Sequence, residues 1–254
     1  MARCLWCKQE VFETAIEHII PEPLGCPKLF TLNSGEVCVR CNNGLAHLDM
    51  AVIEELEIPA FMANVKRKGN KSSIINTRGN VIGKHTKSGN TIIINMQNNN
   101  IIHQDGTIVG AYGKSERNIK ASFRTNGRMA HISFSTTIGK NPKFVRGVYK
   151  IAFESIVYFL GMKIFLDEKY DNIRKFVLHG SPQRKLIYFA CSDNQYRNEV
   201  KFPCQGTDDG YGIEFRLGVF AFVVDLSPNL TLFPELVLKA KELWGENGWG
   251  YLPI

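Results

Sequence analysis

The chain has 254 residues, 44% of them hydrophobic, with a formal net charge of +7. That is enough to bury a substantial core, in one small domain and one larger one. The best apolar run, Leu217 to Val224, has the length of a strand, so a membrane span is excluded and a soluble chain is expected. The charge is unevenly spread: residues 1–60 hold 4 Lys+Arg against 9 Asp+Glu, residues 61–180 hold 20 against 6, and residues 181–254 hold 7 against 9. A basic middle segment suits a phosphate-binding surface, because neutralising phosphates releases counterions. A solvated Lys/Arg face is the competing reading.

In chain order, the first elements are two cysteine knuckles, Cys4-x-x-Cys7 and Cys38-x-x-Cys41. Together they offer the four thiolates of a closed tetrahedral zinc site, which holds a fold and leaves no position for an activated water. Two disulfides or a redox motif are the alternatives. Seven cysteines are an odd number, and no apolar leader opens the chain, so a reducing cytosol is expected and Cys26, Cys191 and Cys204 read as ordinary thiols. From Val37 to Leu56, apolar residues at Leu45, Leu48, Val52, Ile53 and Leu56 predict a helix ended by Pro59, with Asn42 in its first turns.

Residues 66–89, rich in Gly, Asn, Ser and Lys, read as loop and hairpin. Strands are predicted at Thr91–Met96 and Ile101–His103. Another pair, Ala121–Thr125 and Arg128–Phe134, would be joined by an Asn126-Gly127 turn of type I′. Helices follow at Pro142–Leu160 and Glu168–Leu178, then strands at Lys185–Ala190, Tyr211–Leu217 and Val219–Asp225, and a last helix near Pro234–Trp244. The class is α+β, with a zinc-bound domain at 1–60 and a mixed domain at 61–254.

Between the knuckles stand Glu17-His18-Ile19-Ile20-Pro21, Leu24-Gly25 and Asn33, and Asn42 follows the second knuckle directly. An imidazole can take a proton from water at neutral pH, which suits a general base. A carboxylate and an amide oxygen are hard donors suited to Mg²⁺ or a similar ion that also meets substrate phosphate. The segment from Cys4 to about Asp49 resembles the HNH endonucleases, the ββα-metal type with an added four-cysteine zinc site. The acidic residue, histidine and proline of that family's Asp/Glu-His-x-x-Pro stand here as Glu17, His18 and Pro21, and Cys26 replaces the second glycine of its Leu-Gly-Gly.

The resemblance implies His18 as the base that activates water, Asn33 as a brace for the histidine loop, and Glu17 with Asn42 as ligands of a catalytic Mg²⁺ or Mn²⁺. His47, four residues after Asn43, is an alternative ligand. Cys4, Cys7, Cys38 and Cys41 would hold structural Zn²⁺. The implied activity is hydrolysis of phosphodiesters, first of all in double-stranded DNA, leaving a 5′-phosphate. Lys66, Arg67, Lys68, Lys71, Arg124 and Arg128 are the candidates for contacts to the nucleic-acid backbone. By analogy alone, a restriction or antiviral defence role follows. Two rivals are an idle zinc module that binds nucleic acid, and a nuclease woken by a ligand or partner sensed by the C-terminal domain. A double-strand cut would call for a homodimer or two successive nicks.

Overall fold

The structure is a computed structural model. It describes residues 2–63, 65–67, 138–139, 141–191, 195–207, 210–245 and 249–252, and the strand residues 71–72, 75–76, 81–84, 91–94, 101–102, 107–112, 119–126 and 129–135. The architecture is mixed α+β with mainly antiparallel sheets. A hairpin of β1 (Glu17–His18) and β2 (Thr31–Leu32) precedes helix α1 (Val39–Met62). Strands β3 (Lys66–Arg67), β4 (Lys71–Ser72), β5 (Ile75–Asn76), β6 (Val81–Lys84), β7 (Thr91–Ile94), β8 (Ile101–Ile102), β9 (Thr107–Tyr112), β10 (Ile119–Asn126) and β11 (Met129–Ser135) follow. Next come α2 (Pro142–Leu160), α3 (Met162–Phe165), α4 (Asp171–His179), β12 (Leu186–Ala190), β13 (Arg197–Thr207), β14 (Gly210–Gly218), β15 (Phe220–Asp225), α5 (Phe233–Trp244) and β16 (Trp249–Leu252).

The chain forms two compact units, Met1–Leu56 with Gly139–Ile254, and Glu57–Ile138. The division expected from the sequence, 1–60 and 61–254, falls elsewhere. The cysteine-rich segment shares its core with helices more than a hundred residues away: Trp6 packs on Phe153 at 5.6 Å between ring centroids, and Arg174 Nε donates to the Leu5 carbonyl at 2.7 Å.

In the first unit, a five-stranded antiparallel sheet runs in the order β13-β14-β15-β12-β16. Alternation assigns its two faces. Ile187 and Val223 lie opposite each other in register and pack with Leu236 and Ala240 of α5. Phe222, one residue along, meets Phe144 of α2 at 5.9 Å. Covered on both sides, β15 is buried from Ala221 to Asp225, which is why it reads as a continuous apolar run rather than an alternating one. Helix α2 begins where expected: the Asn141 side chain accepts from the Lys143 amide at 3.0 Å and Pro142 fills the first turn.

Helices α1 and α2 approach closely at Gly147. A Cβ there would lie 2.5 Å from Val52 Cγ2 and 2.9 Å from the Leu48 carbonyl oxygen, so one neighbour is backbone and cannot swing away. Gly147→Ala is therefore expected to lower stability by about 1–3 kcal/mol, the clash outweighing alanine's better helix propensity of roughly 1 kcal/mol. Equilibrium denaturation checks this, and an unchanged midpoint would mean that the helices separate freely.

Two local expectations are corrected. Helix α1 passes through Pro59 to Met62: the proline gives up its own amide bond and crowds the carbonyl four residues earlier, yet its carbonyl still accepts from Ala63 N at 3.0 Å. In the second unit, β10 pairs with β11 so that Asn126 faces Met129, one residue out of step with an Asn126-Gly127 centred turn. Residues 127 and 128 lie outside the described residues. Strands β9, β13 and β16 have no counterpart among the predicted elements.

Candidate functional site

The four cysteines converge. Their sulfurs all lie within 4.8 Å of one another, and Cys7 Sγ to Cys38 Sγ is 3.9 Å. Zinc–sulfur bonds of about 2.3 Å in a tetrahedron put sulfurs roughly 3.8 Å apart, so the set fits a closed zinc site. The first knuckle is closed by the Lys8 amide on the Cys4 carbonyl at 2.8 Å, with Lys8 at φ 59°. The Cys38 amide donates to Cys4 Sγ at 3.5 Å and the Cys41 amide to Cys38 Sγ at 3.4 Å. A hydrogen bond from the Cys41 thiol draws Cys4 down to about 4, and the reciprocal effect pushes Cys41 up. Crowded thiols that share protons in this way are what a divalent cation relieves. Cys26 stands apart, its thiol directed to the Phe30 carbonyl at 3.4 Å. Among the described residues, these four cysteines are the only group of three or more His, Cys, Asp or Glu side chains converging as metal ligands would.

The knuckles hold a small ββα arrangement. Thr14 bridges Cys38, Glu17 pairs with Leu32, and His18 pairs with Thr31. Helix α1 starts at the second knuckle, and Asn42 Nδ2 donates to the Ile16 carbonyl at 3.3 Å, tying the first turn to the strand that carries His18. His18 is partly exposed, with Nε2 3.8 Å from Glu22 Oε1. The turn after it, Glu22–Leu24, ends on Gly25 at φ 83°, a conformation that needs glycine. Strand β13 and the residue before it pin that turn from the side: Tyr196 Oη donates to the Leu24 carbonyl at 2.8 Å and Asn198 Nδ2 to the Gly25 carbonyl at 2.9 Å. Asn33 lies just past β2, exposed, its Oδ1 accepting from Ser34 Oγ at 3.3 Å. His47 is exposed, with Nδ1 2.9 Å from the Gly44 carbonyl oxygen of its own helix.

Glu17 is the residue whose surroundings differ most from expectation. It is buried, and its Oε1 accepts from Lys150 Nζ at 2.6 Å. Lys150, fully buried on α2, also donates to Asp49 Oδ1 at 2.9 Å and lies 3.3 Å from Glu154 Oε2. Trp6 Nε1 donates to Glu154 Oε1 at 3.0 Å. Burial pushes both Glu17 and Glu154 upward against the opposing pull of Lys150. With an ammonium already on one oxygen of Glu17 and its other oxygen enclosed, Glu17 and Asn42 as placed do not fit a catalytic Mg²⁺ or Mn²⁺, and no step is assigned to such an ion.

No motif in the sequence marks Lys150, Glu154, Asp49 or Trp6 as part of the site. One signal was present: Lys150 and Glu154 sit four apart inside the largely apolar Gly147–Val157, where an exposed ion pair has no reason to be.

Of the basic candidates, Lys66 is exposed, and Arg67 and Lys71 occupy directly opposed positions of the β3–β4 hairpin. Arg124 stands opposite His131 and Thr107. Lys68 and Arg128 lie outside the described residues. The unit Glu57–Ile138 holds 12 Lys+Arg against 3 Asp+Glu, which leaves the remainder of the chain at 19 against 21. No described helix is long and apolar enough to cross a membrane.

No protein-family model, curated protein or solved structure matches this chain.

Proposed function

We propose that the chain is an HNH-type endonuclease, a hydrolase of phosphodiester bonds in DNA, in which the four-cysteine site is structural and His18 is the general base. The observation that carries this reading is the juxtaposition inside the zinc clamp: a partly exposed histidine on a two-residue strand, backed by its hairpin partner and by the Asn42 turn of α1. His18 takes the proton of the attacking water, with the Glu22 carboxylate oxygen 3.8 Å from its Nε2. The basic unit Glu57–Ile138 supplies affinity for the polyanion. Neutralising phosphates releases counterions, so a segment with 12 Lys+Arg against 3 Asp+Glu suits a nucleic-acid backbone.

The test compares wild type with His18→Ala on supercoiled plasmid, linear duplex, single-stranded DNA and RNA, with Mg²⁺, Mn²⁺ or EDTA. Loss of a positioned general base is expected to slow cleavage by about 10²–10⁴-fold. Equal cleavage by both proteins removes His18 from the reaction.

The Glu17–Lys150 pair favours a second reading, an idle zinc module that binds nucleic acid without cutting it. That protein would shift duplex DNA in a gel and leave every substrate whole.

A further inference from the structure

Strand β1 is held by two ladder positions, Glu17 with Leu32 and His18 with Thr31. So short a pairing specifies poorly which side chain takes which face, and a slip of one residue would exchange them. Successive side chains on a strand point to opposite faces, so whatever holds Glu17 inward also holds His18 outward.

What holds Glu17 is Lys150, at 2.6 Å. Its ammonium has no exposure and is gripped from three elements: β1 by Glu17, α1 by Asp49, and its own helix α2 by Glu154. Glu154 is fixed in turn by the indole of Trp6, which stands between the zinc ligands Cys4 and Cys7. The strand carrying His18 is thus tied to the cysteine clamp and to two helices through one buried cation.

We propose that Lys150 is a positioning residue for His18, acting through Glu17, and that Glu17 anchors the strand instead of holding a divalent ion. This rests on the hydrolase reading of His18. Lys150 touches no reacting atom; its role is to decide which way β1 faces. A divalent ion on Glu17 would sit beside a buried ammonium, where like charges repel far more strongly than in water.

Glu17→Gln keeps an acceptor of the same length for Lys150, whereas Glu17→Ala and Lys150→Gln remove or weaken the anchor. Glu17→Gln is expected to cleave within about 10-fold of wild type, with the same Mg²⁺ concentration at half-maximal rate. Glu17→Ala and Lys150→Gln are each expected to lose about 10²-fold in kcat with KM nearly unchanged, the cost of a displaced group, and the double variant should be no worse than either single one. A second readout needs no substrate: the NMR ring resonances of His18, identified by their absence in His18→Gln, should stay in place in Glu17→Gln and move in the other two. If Glu17→Gln is as damaged as Glu17→Ala and needs more Mg²⁺, Glu17 is a ligand and the proposal falls. It falls equally if the His18 resonances ignore Lys150→Gln. A wild type that cuts nothing sinks the hydrolase reading alone, since the resonances still decide whether Lys150 places His18.

Discussion

Replacing Cys41 with serine is expected to abolish zinc binding at the four-cysteine cluster and loosen the whole segment from Cys4 to Cys41. A structural zinc contributes about 10–16 kcal/mol of apparent binding energy in small zinc modules, and most of that energy is folding energy. Here an ion would close two knuckles 31 residues apart, whose sulfurs lie within 4.8 Å of one another. What hangs on the clamp is more than a surface loop. Leu5 is fully buried, Trp6 is 2% exposed against Phe153, and Arg174 reaches in to the Leu5 carbonyl. The expected result is one zinc per wild-type chain by mass spectrometry and only a trace in Cys41→Ser. Trp6 emission should shift to the red as the indole leaves Glu154 and Phe153, and thermal unfolding should begin at least about 10 °C earlier. Cys26→Ser is the control, and its zinc content should not change. A Cys41→Ser protein that keeps its zinc and its emission would show that the four thiols are not the ligands.

Lys150→Met is expected to cost about 3–5 kcal/mol near neutral pH, because removing one partner of a buried ionic cluster leaves the others uncompensated. In a unit of this size that is roughly a 10 °C fall in melting temperature. The effect should depend on pH, with a sign that can be worked out. Burial already raises Glu17 and Glu154 above ordinary carboxylates, and Lys150 is the charge that opposes the rise in both. Without it, their folded values climb further above the unfolded ones. A carboxyl group raised in the folded state adds stability that is fully present below its unfolded value and is lost as pH rises through the folded value. The deficit of Lys150→Met is therefore expected to be smallest near pH 5 and to widen toward pH 8, where the lost ammonium leaves carboxylates to ionise without a partner. Denaturant titrations at those two pH values decide the matter, and a deficit independent of pH would assign Lys150 a packing role only.

Much of the architecture was legible along the chain. Helix α2 occupies the predicted Pro142–Leu160, and the strands at 185–190, 211–217 and 219–225 lie within about one residue of β12, β14 and β15. These elements carry their own signals, a proline at an N-terminus, an apolar period and a tight Gly218 turn, all within reach of a few residues. Strands β13 and β16 carry weaker ones. At the edges of the sheet they have one neighbour each, and their identity as strands comes from β14 and β12 across the ladder. The same holds for the turn at Asn126, where pairing along the whole of β10 and β11 overrode the local preference of an Asn-Gly pair.

The candidate site divides along similar lines. Cysteine spacing by itself pointed to the four-thiol cluster, because each short knuckle brings its own two sulfurs together, and the Glu17-His18 strand and Asn42 lie between and just after the knuckles along the chain. The tertiary structure decided what Glu17 does. Its partner Lys150 lies 133 residues away on a helix that looks apolar, and a buried charge must find its counter-charge wherever the fold brings one. Short-range geometry is written in neighbouring residues, whereas the neutralisation of a buried carboxylate depends on everything packed around it.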